Sequence, residues 1–193
     1  MKKRTYNVML LSSSSTFHAV IKSLLAPSNY PSICSAYSVQ IAKELLQKQQ
    51  FDLVLVDTPL SDASGKLFAL EASKEKSTIV LLFVKQDLLD EVNNEVIEHG
   101  IFTLAKPTSK AVIAQALTWM TSAREHLRIS ENKTHLIEQK IDDIRLINRA
   151  KWLLISELKL SESDAHHYIE KQAMDRCTSK REIAEDVIKT YSL

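Results

Sequence analysis

Hydrophobic and polar positions follow two alternating rhythms through the first half of the chain. Short, nearly continuous apolar runs lie at Tyr6–Leu11, Ser32–Ala36, Asp52–Asp57, Thr78–Val84 and Ile101–Leu104, the second being the weakest. A strand with one wet face would alternate, so runs this apolar predict strands covered on both faces, as in a parallel sheet. Between them, Thr16–Leu25, Val39–Gln49, Gly65–Ser73 and Leu88–His99 carry apolar positions at helical spacing. Five strand–helix units predict a doubly wound α/β domain, whose functional groups gather at the carboxyl ends of the strands. Those ends hold Ser12–Ser15, Asp57-Thr58, Phe83-Val84 and Lys106-Pro107.

The rhythm then changes. Residues 108–160 contain neither Pro nor Gly, which predicts one long helix. Its apolar stripe steps by three and four through Ile113, Ala116, Met120, Ala123 and Leu127. It weakens at Ser130 and Thr134, then resumes at Ile137, Ile141 and Ile144. A stripe this long needs a cover. A parallel two-chain seam through Met120, Ala123, Leu127, Ile137, Ile141 and Ile144 is expected, against a solvated linker helix. Farther on, Ser161-Glu162-Ser163-Asp164 and Ser179-Lys180-Arg181-Glu182 have the Ser-x-x-acid spacing of capping boxes. Each opens a short amphipathic segment. Short helices need a partner, so both are expected to pack on the end of the long one. The expected partition is a head at 1–120, a coiled-coil linker helix at 121–144 and a helical tail at 145–193.

Composition narrows the function classes. The 193 residues include 25 Lys+Arg against 24 Asp+Glu, a formal charge of +1, which excludes a uniformly basic nucleic-acid coat. No apolar run reaches the roughly 18–20 residues of a membrane span. The apolar run after Met1-Lys2-Lys3-Arg4 is too short for a signal peptide. Cys34 and Cys177 stand alone, so neither a disulfide framework nor a zinc cluster is expected, and the chain reads as cytoplasmic with free thiols. With only 2 Gly there is no phosphate-cradling loop. His166 and His167 are adjacent on a helix and point apart, which makes no metal site. Trp119, Trp152 and Tyr168 are expected to pack the helices. No Cys/His dyad, Ser/His/Asp set or carboxylate pair is spaced for catalysis. No enzyme activity, metal or cofactor is expected.

Asp57 at the end of the third strand, within VDTPLSDASG, and Lys106-Pro107 after the fifth resemble a response-regulator receiver domain over roughly residues 5–120. The resemblance implies a flavodoxin-like fold with Asp57 as possible phosphoacceptor. It also implies a magnesium ion held by paired acids after the first strand and a Ser or Thr after the fourth. Here Ser12 and Ser13 stand at the acid positions, and Phe83 or Val84 at the hydroxyl position. Serine hydroxyls with one aspartate make a poor magnesium shell. A locked polar cluster of Ser12, Ser13, Asp57 and Lys106 is therefore expected, with aspartyl phosphorylation the alternative.

The segment Ile147–Ile188 resembles the ANTAR domain of transcription antitermination regulators, the family of AmiR and NasR. The resemblance rests on Ala150-Lys151 before Leu153-Leu154, on Leu160, Ser161 and Ala165, on Ala173-Met174 and on Glu182-Ile183-Ala184. Trp152 stands where that family often has Gly, and Cys177-Thr178 where basic residues are common. The family implies binding to hairpin loops of nascent transcripts, which prevents a terminator from forming. Nine basic against eight acidic residues in 145–193 make no basic domain, so contact must come from arrangement. Arg149, Lys151, Lys180 and Arg181 are the expected contact residues, with Arg145 and Arg176 at the margin. The expected partners are hairpin RNA, a second copy of the chain, and a sensor kinase or ligand-binding regulatory protein, but no membrane. A phosphorylation-dependent response regulator acting through Asp57 and a protein-binding dimer without RNA activity remain the alternatives.

Overall fold

The computed structural model describes residues 4–60, 65–75 and 77–191. Two compact units divide the chain, 1–129 and 130–193. The first is a five-stranded parallel sheet of order β2-β1-β3-β4-β5, with β1 at Asn7–Leu11, β2 at Ser32–Ala36, β3 at Leu53–Asp57, β4 at Ile79–Lys85 and β5 at Phe102–Lys106. Helices α1 (Ser15–Leu24), α2 (Val39–Lys48), α3 (Gly65–Ala72) and α4 (Leu89–Val96) connect the strands. The order reverses at β1, so β1 lies between β2 and β3.

The apolar runs are explained by coverage on both faces. Along β1, β3 and β4, Met9, Leu11, Val54, Val56, Val80 and Leu82 join Phe68, Ala69, Ala72 and Val96 in one core. Their neighbours Val8, Leu10, Leu53, Leu55, Leu81 and Phe83 point the other way, to Ile21 of α1, to Leu25 just after it and to the start of α5 (Lys110–Leu158). Gly65 lets α3 approach β3 closely. A Cβ there would lie 2.6 Å from Thr58 Cγ2, whose rotamer is fixed by the Thr58 Oγ1 hydrogen bond to the Phe83 carbonyl at 2.7 Å.

Within this unit α5 contributes Ile113, Ala116, Leu117 and Met120 to the second core, with Ala123 and Leu127 packed partly buried against it. Arg124 Nε donates to Asp52 Oδ1 at 2.9 Å, and the Tyr6 hydroxyl donates to Glu125 Oε1 at 3.0 Å. Three positions of the expected intermolecular seam are therefore corrected. Met120, only 1% exposed, is buried in the head's own second core, and Ala123 and Leu127 pack partly buried against that core. The physical reason is that periodicity shows a face to be apolar without showing what covers it.

The second unit joins the end of α5 to α6 (Glu162–Asp175) and α7 (Lys180–Tyr191) around Ala150, Leu154, Ala165, Ile169, Ala173, Ile183, Ala184 and Val187. At both expected capping boxes the serine half forms. Ser161 Oγ accepts from Asp164 N at 3.1 Å, and Ser179 Oγ accepts from Glu182 N at 3.2 Å. With Gly scarce, Cys177 takes the left-handed position that ends α6, at φ 50°. There Thr178 N reaches the Ala173 carbonyl at 3.0 Å and Cys177 N the Met174 carbonyl at 3.1 Å, the paired bonds of a Schellman stop.

Candidate functional site

In the first unit, the strand ends converge on Asp57. Ser12, fully buried at the end of β1, donates its hydroxyl to Asp57 Oδ2 at 2.7 Å and accepts from Ser14 N at 3.0 Å. Lys106 at the end of β5 donates its ammonium to Asp57 Oδ1 and to the Thr58 carbonyl. Both carboxylate oxygens are thus engaged by one hydroxyl and one ammonium. Ser13 is exposed and stands apart from these bonds. Ser14 caps α1, accepting from Phe17 N at 3.3 Å. The 61–64 part of VDTPLSDASG lies outside the described residues.

His18 was not singled out from sequence, yet it belongs to this end of the sheet. It is 3% exposed, its Nε2 lies 2.9 Å from the Ser12 carbonyl, and its ring centroid is 4.5 Å from that of Tyr37. Its signal in the sequence was slight, one histidine on the inner face of an amphipathic helix.

The donor set at Asp57 does not fit a magnesium ion. The cation needs several anionic or neutral oxygens in an octahedral shell. Among the described residues Asp57 supplies the one carboxylate here, Ser12 already donates to it, and the Lys106 ammonium lies on its other oxygen. Phe83 and Val84 are buried apolar side chains and offer no hydroxyl.

In the second unit the expected basic residues fall into two groups. Arg181 donates from Nη1 to Asp143 Oδ1 on α5 at 2.7 Å and from Nε to Glu185 Oε1 at 2.9 Å. Those two bonds raise its already high pKa further. Lys180 pairs with Glu170 on α6, Arg176 with Asp186 on α7 at 3.0 Å, and Lys151 with Glu162 at 3.2 Å. Arg145 has only an exposed i,i+3 pair with Asp142 at 3.4 Å. Arg149 is exposed and makes no ion pair among the described residues. Lys180, Arg181, Arg176 and Lys151 therefore tie the helices of the module to one another. Arg145 and Arg149 stand out from it.

Three aromatic residues are corrected. Trp119 is 56% exposed, Trp152 72% and Tyr168 37%, so none is the packing residue its apolarity promised. Trp152 lies two residues, about 200° of helix rotation, from both Ala150 and Leu154, so it faces away from their buried side.

Comparison with known proteins matches this module to a family. The family model described as "ANTAR domain" fits residues 136–188, which span the last part of α5 and all but the end of α7. The chain carries an ANTAR domain. The match begins ahead of the segment Ile147–Ile188 that carries the sequence resemblance. Over 170 residues, 86% of this chain and 82% of the relative, the chain is 29% identical to "Transcriptional regulatory protein PdtaR" of Mycobacterium tuberculosis. The fold ahead of the ANTAR domain is that of receiver domains. A signal receiver domain of an HD domain-containing protein from Pseudomonas fluorescens superposes with a TM-score of 0.56 at 23% identity, covering 68% of this chain and 95% of that one. A CheY-like receiver domain protein from Methanospirillum hungatei does so with a TM-score of 0.55 at 14% identity, covering 63% and 98%. Among the described residues no helix is long and apolar enough to cross a membrane.

Proposed function

We propose that this chain is a cytoplasmic RNA-binding antitermination regulator, not an enzyme, and that its ANTAR domain engages hairpin loops in nascent transcripts. The observation that carries this reading is the ANTAR match over 136–188, on a folded module whose α5 face carries two outward arginines, Arg145 and Arg149. RNA loops present unstacked bases and phosphates, which suit a local cationic face on a chain of near-zero net charge. Arg149 leads the contact, with Arg145 beside it. Lys151, Lys180, Arg181 and Arg176 add field at the margin while holding the module together.

The head acts through contact with a protein or ligand, because Asp57 is neutralised in place by Lys106 and hydrogen-bonded by Ser12. Phosphoryl transfer onto a carboxylate needs cationic stabilisation of the transferred oxygens, which a bound magnesium supplies and a lysine already committed to two acceptors does not replace. Leu136, Ile137, Ile141 and Ile144 are exposed on α5 and form the remaining seam for a homodimer, which places two RNA-binding tails together and raises the effective concentration of the second.

Mobility shift of the full chain with a pool of stem–loop RNAs, against a loopless duplex, tests the RNA reading. Selective retention of stem–loops is the expected result, and retention of neither leaves a protein-binding dimer. The second reading, phosphorylation of Asp57 by a sensor kinase, is favoured by one observation, the place of Asp57 at the end of β3 beside Lys106. A stable adduct at Asp57 with acetyl phosphate or beryllofluoride would require it. Absence of any adduct is expected.

A further inference from the structure

Trp152 leaves 72% of its surface in water in the middle of a folded three-helix module. Its position on the helix is not random. Arg145, Asn148, Arg149 and Trp152 are spaced i, i+3, i+4 and i+7, so they share one face of α5, and all four are exposed. Beside the indole a groove of about 500 Å³ runs between the end of α5 and the start of α6, lined by Asn148, Lys151, Trp152, Ile155, Leu160 and Ser161, with Glu162 on its rim. Lys151 neutralises Glu162 at 3.2 Å.

A second copy of the chain and a nucleic acid are the two occupants to weigh, and charge separates them. In a parallel two-fold seam each residue faces its own copy. Extending the Ile137, Ile141, Ile144 stripe as far as Trp152 would bring Arg145 and Arg149 against their own copies in a desolvated interface. Burying like charges together is costly. A polyanion meets the same two arginines with the opposite sign. The groove's apolar wall and its single side-chain amide suit a flat, edge-polar guest.

We propose that Trp152 is the stacking platform for one unpaired base of a hairpin RNA loop, with Asn148 bonding the edge of that base and Arg145 and Arg149 holding the flanking phosphates. This rests on the RNA reading above and adds which part of the RNA is taken and by which residues. An indole face accepts any base, because every base has a π surface. The Asn148 amide offers both donors and an acceptor, so it discriminates among edges.

The test uses the full chain and a pool of stem–loop RNAs with a fixed stem and a randomised loop. Trp119→Phe removes the other indole, so fluorescence then reports Trp152 alone. Stem–loop RNA is expected to quench it, and loopless duplex or a loop of abasic sugars to leave it unchanged. Trp152→Ala is expected to weaken stem–loop binding by about tenfold or more, Trp152→Phe to restore most of it, and Asn148→Ala to change which loops are selected from the pool. Unquenched fluorescence with unaltered affinity of Trp152→Ala, while the wild type still selects stem–loops, overturns the platform and leaves the RNA reading standing. A wild type that retains no stem–loop overturns both. A change of sedimentation in Trp152→Ala without loss of RNA binding places the indole in a dimer seam and overturns the platform as well.

Discussion

Ser12 gives its hydroxyl hydrogen to Asp57 Oδ2 across 2.7 Å, at the β1 end where a second carboxylate would repel Asp57. The bond is buried, and Lys106 holds the other oxygen. A neutral donor and a cation together satisfy a carboxylate that would otherwise call for a metal.

Removing that donor should cost the head stability. Ser12→Ala leaves one buried oxygen of Asp57 without its partner, which typically costs about 1–3 kcal/mol and would lower the denaturant midpoint of the full chain. Ser12→Asp should do more harm in chelator, because it sets like charges side by side, and magnesium should recover part of that loss. Wild-type protein should melt at the same temperature with and without millimolar magnesium. A magnesium-dependent rise in the wild-type melt would show that the cation finds a site at Asp57 after all.

The proposed dimer seam runs over the exposed Leu136, Ile137, Ile141 and Ile144. Ile137→Asp with Ile141→Asp places charges on a face that is 58% and 43% exposed in one chain, so monomers should result with the head's melt unchanged. Leu127→Asp should act differently. It drives a charge against the head's second core and should lower the melting temperature whatever the association state. Sedimentation and thermal denaturation of the two variants separate the cases. A dimer that survives the double replacement lies on another surface.

The strands were legible because burial on both faces leaves an unmistakable mark, a run without alternation such as Leu53–Asp57 or Ile79–Lys85. The capping boxes at Ser161 and Ser179 were legible for the same reason, since the pairing is local and written in four residues. What covers a stripe is not local. Met120 and Ile141 lie on similar apolar steps of one helix, yet the first meets β-sheet and the second meets water. The roles of the basic residues were equally hidden, because Arg181 and Asp143 are brought together from distant positions in the chain. Trp152 could have been placed by phase, since Ala150 and Leu154 already mark the buried side of α5.

Acid should loosen the tail through Glu170. The hydrogen bond and charge of Lys180 hold its carboxyl below the ordinary carboxylate range, with His166 adding a smaller pull. A carboxylate whose folded pKa is depressed contributes stability at pH above its unfolded value and loses it as pH falls through the folded one. Lys180→Met should therefore melt below wild type at neutral pH, and the two should converge once pH drops below the carboxylate range. Far-UV circular dichroism melts at both pH values check this. A gap of constant size would assign the effect to the lysine's packing and not to its charge.

Arg149 and Arg181 should part company when each is replaced by alanine. Arg149 faces water and makes no ion pair among the described residues, so its loss should leave stability within about 0.5 kcal/mol. Its effect should appear in RNA binding, as weaker affinity and a salt slope smaller by about 0.7 for one lost phosphate contact. Arg181 bridges Asp143 of α5 and Glu185 of α7, so its loss leaves two carboxylates without their shared cation. The tail should then melt at lower temperature, more so at low salt, where an exposed pair is least screened. Arg181→Lys should recover little, because an ammonium cannot reproduce the two-sided fork of a guanidinium. RNA titrations across a salt series, run beside thermal melts, read both effects at once. An Arg181→Ala chain that melts like wild type but loses salt slope, beside an Arg149→Ala chain that keeps it, would exchange the two roles and put the start of α7 at the RNA.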